Sequence, residues 1–379
     1  MTPRGRFLTA MDCGIPDIVP VGLSITGDNM MDWFGENSWQ TCFRLHKELG
    51  VAFEYGLDYN DINKAFKARL DAGWSDETHI EFMFDDKRPV RIKTRIIKTP
   101  KGELRCVERS DSLADVFGQL VEPLIKGPRD YETYLLFLEQ WLKTAEIDED
   151  AKSQVDHMGE VIGDDGVRID TTTLTFYRYF WVLRRVEDLL RDFIDEPDLM
   201  KDVLKITSRI NQLAFAYFLE NKADAIMINC SGASSSVIGP EFFRRWVLPE
   251  LQWFAEHKKP GKCVGYHTTG KMKSVLPLFI EGGADWVLRF ESSAYGGDCS
   301  LADAKAIIGD KKVCVYGGYD PHIYLTHDKE LITYEARRLI DEAKTGGGFI
   351  IGNTDHIPVG VKIEDIKIAV DFINEYGQY

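Results

Sequence analysis

No apolar run in these 379 residues approaches the ~20 residues that a membrane-crossing helix requires. The first residues, Met1-Thr2-Pro3-Arg4-Gly5-Arg6, carry no long apolar segment of the signal-peptide kind, so a cytoplasmic location is expected. Cysteine is sparse: seven residues, an odd number without any CxxC spacing, argue against a disulfide framework and for a reducing compartment. Positive charge is in deficit as well. With 46 Lys and Arg against 61 Asp and Glu, the net charge of −15 repels polyanions and excludes nucleic acid as the expected partner. Low-complexity tracts are missing too, and the 44% of apolar residues suffices for a sizeable core.

What is present is a repeated grammar in which a short apolar run ends in polar or ionisable groups. Ala225-Ile226-Met227-Ile228 runs into Asn229 and Cys230, and Cys263-Val264-Gly265-Tyr266 into His267. Trp286-Val287-Leu288-Arg289-Phe290 leads to Glu291, Val313-Cys314-Val315-Tyr316 to Gly317, Gly318 and Asp320, and Phe349-Ile350-Ile351 to Asn353, Asp355 and His356. Helical patterns over about Pro240–His257, Lys271–Glu281, Leu301–Ile308, Asp328–Ala343 and Ile363–Glu375 separate or follow them. Strand and helix alternating every ~30 residues form the βα unit of a parallel sheet. Reactive groups gathered at strand C-termini point to a (β/α)8 TIM barrel, with an open doubly wound sheet as the alternative. The chain exceeds the ~250 residues of a bare barrel. We therefore expect one domain over 1–379, with 28–150 as an N-terminal elaboration containing helices and an inserted β-hairpin. The hairpin is placed at 90–109, where Val90 to Lys98 alternates at period two, Lys101-Gly102 turns and Leu104 to Arg109 returns, its basic face outward. Ile15–Ile25 reads as a turn feeding the first barrel strand, Asn60–Ala72 as a helix, and Thr175–Ile194 as one long aromatic helix carrying Phe180 and Trp181.

His267 stands where a barrel presents its chemistry. Glu291, and His356 or Asp355, are expected at neighbouring strand ends, and such a set suits Zn²⁺ with one position open for substrate. The competing interpretation is a neutral imidazole that fixes a loop. Trp33 and Phe34 beside Asp28 suit a flat apolar ligand with a polar end, or else pack the N-terminal helices. Asn229 and Cys230 line the pocket floor in the same scheme, Cys230 as a thiol ligand, a nucleophile or a small buried residue.

The opening Met1 to Arg6 with Pro16-Asp17-Ile18-Val19-Pro20-Val21, the stretch Ile238-Gly239-Pro240-Glu241-Phe242-Phe243-Arg244-Arg245-Trp246, and Gly317-Gly318-Tyr319-Asp320-Pro321 together resemble the uroporphyrinogen decarboxylase superfamily. The resemblance implies a barrel, a dimer, and either the decarboxylase or a methyltransferase that exchanges a methyl group with a corrinoid protein. A decarboxylase of this family holds porphyrinogen carboxylates with N-terminal arginines, yet no Arg or Lys occurs between Asp17 and Cys42. The thiol-methylating branch carries a His-x-Cys motif, a Glu and a later Cys around zinc. Here His267 and Glu291 match, while Thr269 and Asp355 replace the cysteines and imply a harder, more Lewis-acidic ion. Ether-cleaving members show Glu-x14-Glu-x20-His, a spacing reproduced by Asp320, Glu335 and His356, although Glu335 falls mid-helix. The implied activity is therefore an O-demethylase methyltransferase that moves a methyl group from a methoxylated, aromatic compound to a corrinoid protein. Zn²⁺ on His267, Glu291 and Asp355 or His356 would polarise the ether, and Tyr266 or Asp28 would protonate the leaving oxygen.

Overall fold

The computed structural model describes residues 1–59, 62–85, 88–110, 118–179 and 183–379. They pack as two compact units: Met1–Leu57, Ser153–Thr171 and Phe218–Tyr379 form one, and Asp58–Lys152 with Thr172–Tyr217 the other. The first holds the barrel, whose strands we number β1 (Val21–Gly22), β2 (Phe53–Tyr55), β3 (Gly166–Thr173), β4 (Ala225–Asn229), β5 (Cys263–His267), β6 (Trp286–Arg289), β7 (Cys314–Tyr319) and β8 (Phe349–Asn353). They form one sheet in the order β1-β8-β7-β6-β5-β4-β3-β2. Their recorded pairings are parallel, as βα connections require. This is the nearly closed (β/α)8 barrel. Among the described residues β1 and β2, the ends of the order, are not paired with each other. Strand β2 lies inside the stretch 28–150 that the sequence suggested was elaboration.

Helix α1 (Pro3–Met11) explains the opening motif. Thr2 caps it by accepting from the Gly5 amide, Pro3 opens the first turn, and Arg4 reaches the Gly166 carbonyl and the Asp224 carboxylate at the starts of β3 and β4. Phe7, Ala10 and Met11 then pack among Ala52, Val167, Ala225, Trp286, Cys314 and Ile350, closing the N-terminal end of the barrel. The interior above is filled by two aromatic rings that need missing side chains. A Cβ on Gly265 would overlap the Trp286 indole, and one on Gly22 or Gly352 would overlap Tyr316. Gly22 and Gly352 sit opposite each other on β1 and β8, so together they open a slot for the Tyr316 ring. Buried rings of this size contribute on the order of 2–3 kcal/mol each, which compensates for the weaker strand propensity of glycine.

Local predictions fared unevenly. Helices Leu301–Ile308, Lys329–Ala343 and Ile363–Tyr376 lie within a residue of expectation, but Pro240–His257 is divided at Val247, ahead of Pro249, into Pro240–Trp246 and Leu248–His257. Asn60–Ala72 is not one long helix: a one-turn helix, Ile62–Ala65, passes into a strand, Phe66–Lys67, paired with Glu146–Ile147, and Asn60 and Asp61 lie outside the described residues. Thr175–Ile194 is broken into Thr175–Arg178 and Val186–Asp195, with Phe180 and Trp181 outside the described residues. The hairpin at 90–109 is present and belongs to a four-stranded antiparallel sheet over Ser75–Asp85, Arg88–Thr99, Gly102–Ser110 and Gln119–Glu122. Its basic residues are not a uniform solvated face. Arg91 is buried, and Arg95 grips Asp76 through Nε and Nη2 at 2.8 and 2.7 Å. Among the described residues no helix is long and apolar enough to cross a membrane.

Candidate functional site at the barrel mouth

Strand alternation decides which side chains enter the barrel. On β5, Cys263 and Gly265 face the interior, so Tyr266 faces the helices and His267 turns inward. On β6, Trp286 and Leu288 face inward, and a regular strand would send Arg289 outward. It does not go there, because Arg289 and Phe290 adopt φ of 103° and 56°. Such values are strained for residues with a Cβ. The turn brings the guanidinium to His267, where Nε donates to the imidazole Nε2 at 3.1 Å, while Nη1 donates to the Asn353 carbonyl at 3.1 Å.

Arg289 is thus a fixed cation at the strand ends. Its charge acts on His267, His356, Glu291, Glu54 and Tyr316, which makes it the common neighbour of the site. Burial first, then Arg289 and His356, hold the His267 imidazole neutral well below its usual range. Since Nε2 accepts, the ring proton sits on Nδ1, a buried atom without a hydrogen-bond partner among the described residues. His356 is also pushed down, by burial and then Arg289, against the opposing charge of Asp355. Glu291 is pushed up by burial and by Asp355, its Oε2 accepting from the Gly270 amide at 2.8 Å.

One level deeper, Glu54 on β2 shares the inward face with Ala52 and accepts a hydrogen bond from the Tyr316 hydroxyl seated in the glycine slot. Burial pushes its carboxyl up to about 7 despite the Tyr316 bond and the Arg289 charge.

The loops after β1 and β8 are stitched together at the rim. Ser24 Oγ meets His356 Nδ1 at 2.9 Å, Asn29 Nδ2 donates to the Ile357 carbonyl at 3.0 Å, and Trp33 Nε1 to the Val361 carbonyl at 2.7 Å. Trp33 thereby fastens the helix Gly27–Phe34, while Phe34 beside it is exposed. Asp28 occupies the first turn of that helix, where the positive end of the helix dipole favours a carboxylate. Asn229 faces inward from β4, its Oδ1 accepting from the Ser231 amide at 3.0 Å.

Three expectations do not fit this geometry. Tyr266 lies in the helix layer, fully buried, its hydroxyl donating to the Gly282 and Leu251 carbonyls at 2.7 and 3.2 Å; burial holds it far above the usual phenol range. It is a structural tie and cannot protonate a substrate. Of the three readings of Cys230 only the small buried residue fits: it is fully buried, donates weakly to the Ile228 carbonyl and is pushed well up by burial, which leaves no place for the nucleophile or thiolate-ligand reading. The zinc set does not fit either. Metal ligation needs an imidazole lone pair, and that of His267 is engaged by a guanidinium N–H beside a full positive charge. His356 turns Nδ1 to Ser24, Asp355 accepts from the His356 amide, and among the described residues no three His, Cys, Asp or Glu side chains converge as a ligand set.

Asp320 and Glu335 do come together, lining a cavity of ≈ 500 Å³ with Glu291, Asp298, Asp303 and Arg338. Its helix aims Glu335 inward, but the carboxylate is held by Arg338 through two bonds of 2.7 and 2.9 Å, and His356 is not among the lining residues. Arg289, Glu54 and Tyr316 went unrecognised in the sequence. The signal was available for Arg289 alone, a lone cation ending an apolar strand run.

The comparisons agree with this architecture. A profile of the family described as Uroporphyrinogen decarboxylase (URO-D) matches residues 180–376. The uroporphyrinogen decarboxylase of Actinobacillus succinogenes is 32% identical over 111 residues, which cover 28% of this chain and 31% of that protein, so the match spans under a third of the relative's length. A methyltransferase from Methanosarcina mazei superposes with a TM-score of 0.62 at 16% identity, covering 99% of both chains. The profile spans more than half of the 379 residues, and the chain belongs to the uroporphyrinogen decarboxylase family.

Proposed function

We propose that this protein is a methyltransferase of the O-demethylase type, taking a methyl group from a methoxylated aromatic compound and passing it to a corrinoid held by a separate protein. The observation that carries the reading is Arg289, a permanent cation locked by His267 and Asn353 at the mouth of the barrel. Demethylating a phenyl ether leaves negative charge on oxygen, and a pre-positioned guanidinium lowers that cost without reorganising. A reduced cobalt corrinoid supplies the nucleophile when its carrier protein docks. The chain's own task is to orient the ether, relieve the charge and exclude water. The likeness in fold to a protein named a methyltransferase supports the reaction class. The family's decarboxylase activity is the alternative. It is disfavoured because the first strand and its loop offer no Arg or Lys between Asp17 and Cys42 for a polycarboxylate.

The test is methyl transfer from a panel of methoxyaromatics to a reduced corrinoid protein, followed by the corrinoid spectrum. Arg289→Gln should lower kcat by ~10²–10³-fold, and treatment with a chelator should leave wild-type activity unchanged. Loss of activity on chelation, restored by Zn²⁺, would overturn the role given to Arg289.

A further inference from the structure

We infer that Glu54, inside the barrel and hydrogen-bonded to Tyr316, is the proton donor to the departing oxygen; this rests on the methyl-transfer reading above.

Four observations converge on Glu54. It faces inward beside Ala52 on β2 and is half-buried, not fully enclosed. Its Oε1 is bonded to the Tyr316 hydroxyl, which fixes the carboxyl and leaves Oε2 to carry a proton. The Tyr316 ring is itself locked by the Gly22/Gly352 slot and by edge-on contact with Phe7, centroids 5.6 Å apart. Arg289 lies close enough for its charge to favour the carboxylate that forms once the proton has gone. The charged surroundings are few. On β3, Val167 and Ile169 face inward, whereas Arg168 and Asp170 bond to each other away from Glu54. The inward residues of β1 and β8 flanking Tyr316 are glycines, and His46 packs on Phe53 rather than on Glu54. Among the described residues Tyr316 and Arg289 are thus the groups that act on Glu54, and burial keeps it protonated up to about pH 7.

In the reaction the methyl carbon–oxygen bond breaks and its electron pair stays on oxygen. The methyl carbon bonds to the corrinoid's cobalt(I) through the cobalt electron pair, which formally oxidises the metal to cobalt(III), and the Glu54 proton moves to the oxygen to give a neutral phenol. Glu54 becomes a carboxylate held by the Tyr316 hydroxyl and the Arg289 charge. Reprotonation from solvent completes the cycle.

The experiment combines an infrared titration of the protonated-carboxyl stretch with leaving-group kinetics. Wild type should lose a carboxyl band with a midpoint near pH 7, Glu54→Gln should lack that band, and Tyr316→Phe, which removes a donor to the carboxylate, should move the midpoint upward. In methyl transfer, Glu54→Gln should lose ~10²–10⁴-fold on an unactivated phenyl ether. With a nitro-substituted ether, whose phenolate departs without a proton, the loss should be only a few-fold. A missing band overturns the proposal whatever the kinetics. A titrating band with equal losses on both ethers, or with none, overturns the donor role alone. If the band titrates but wild type transfers no methyl group, the methyltransferase reading falls and the donor role with it.

Discussion

Proton linkage at Glu54 makes the folded state lose stability as the pH rises through neutrality. An ordinary Glu ionises near 4.5, whereas burial moves Glu54 to about 7 in the folded protein. Below the unfolded value both states hold the proton. Between the two values the folded state holds it and the unfolded state does not, so ΔG of unfolding falls with pH across that window. Each pKa unit is worth ~1.4 kcal/mol, so the full excursion costs about 3 kcal/mol between pH ~5 and ~8. His267 works in the opposite sense. Its folded value lies well below 6.5, so its contribution is present above the unfolded value and is lost as the pH falls. Subtracting the profile of Glu54→Gln removes His267 and every other shared group, because glutamine keeps the volume and can still accept from Tyr316. Urea unfolding of both proteins at pH steps from ~5 to ~8 measures the difference, which should shrink by about 3 kcal/mol in wild type relative to the variant. A flat difference, or one that moves only near the pH of an ordinary carboxylate, refutes the burial argument.

Tyr266→Phe should destabilise by roughly 1–2 kcal/mol through loss of the buried hydroxyl proton that the Gly282 and Leu251 carbonyls share. Methyl transfer should be unaltered; a catalytic loss at unchanged stability would restore Tyr266 to the reaction. Gly352→Ala places a methyl group into the Tyr316 ring and should cost roughly 1–3 kcal/mol. The same variant should move the midpoint of the carboxyl band upward by dislodging Tyr316 from Glu54; calorimetry and infrared spectra check both.

Much of the barrel was legible because its strands from β4 to β8 are short β-branched or aromatic runs that stop at polar residues, a pattern set by burial on both faces. Strands β1 and β2, with two and three residues, are too short for periodicity, and β3 contains Arg168, Asp170 and the polar run Thr171 to Thr173, which hide it. At the site, His267 and Glu291 were recognisable from strand position. Their role was not, because it depends on the positive φ at Arg289, a tertiary choice that no spacing rule encodes. Glu54 was hidden for another reason. Its chemistry comes from a tyrosine 262 positions away in the chain and from the absence of side chains at Gly22 and Gly352.

That slot has a consequence for how such a barrel can change over evolutionary time. Neither glycine can acquire a side chain while residue 316 remains large, and a smaller residue at 316 would leave a void next to an acid without its partner. Positions 22, 54, 316 and 352 therefore form one unit of inheritance. Relatives that lack the tyrosine should be free to carry alanine or larger residues at both glycine positions, and should have parted with the acid as well.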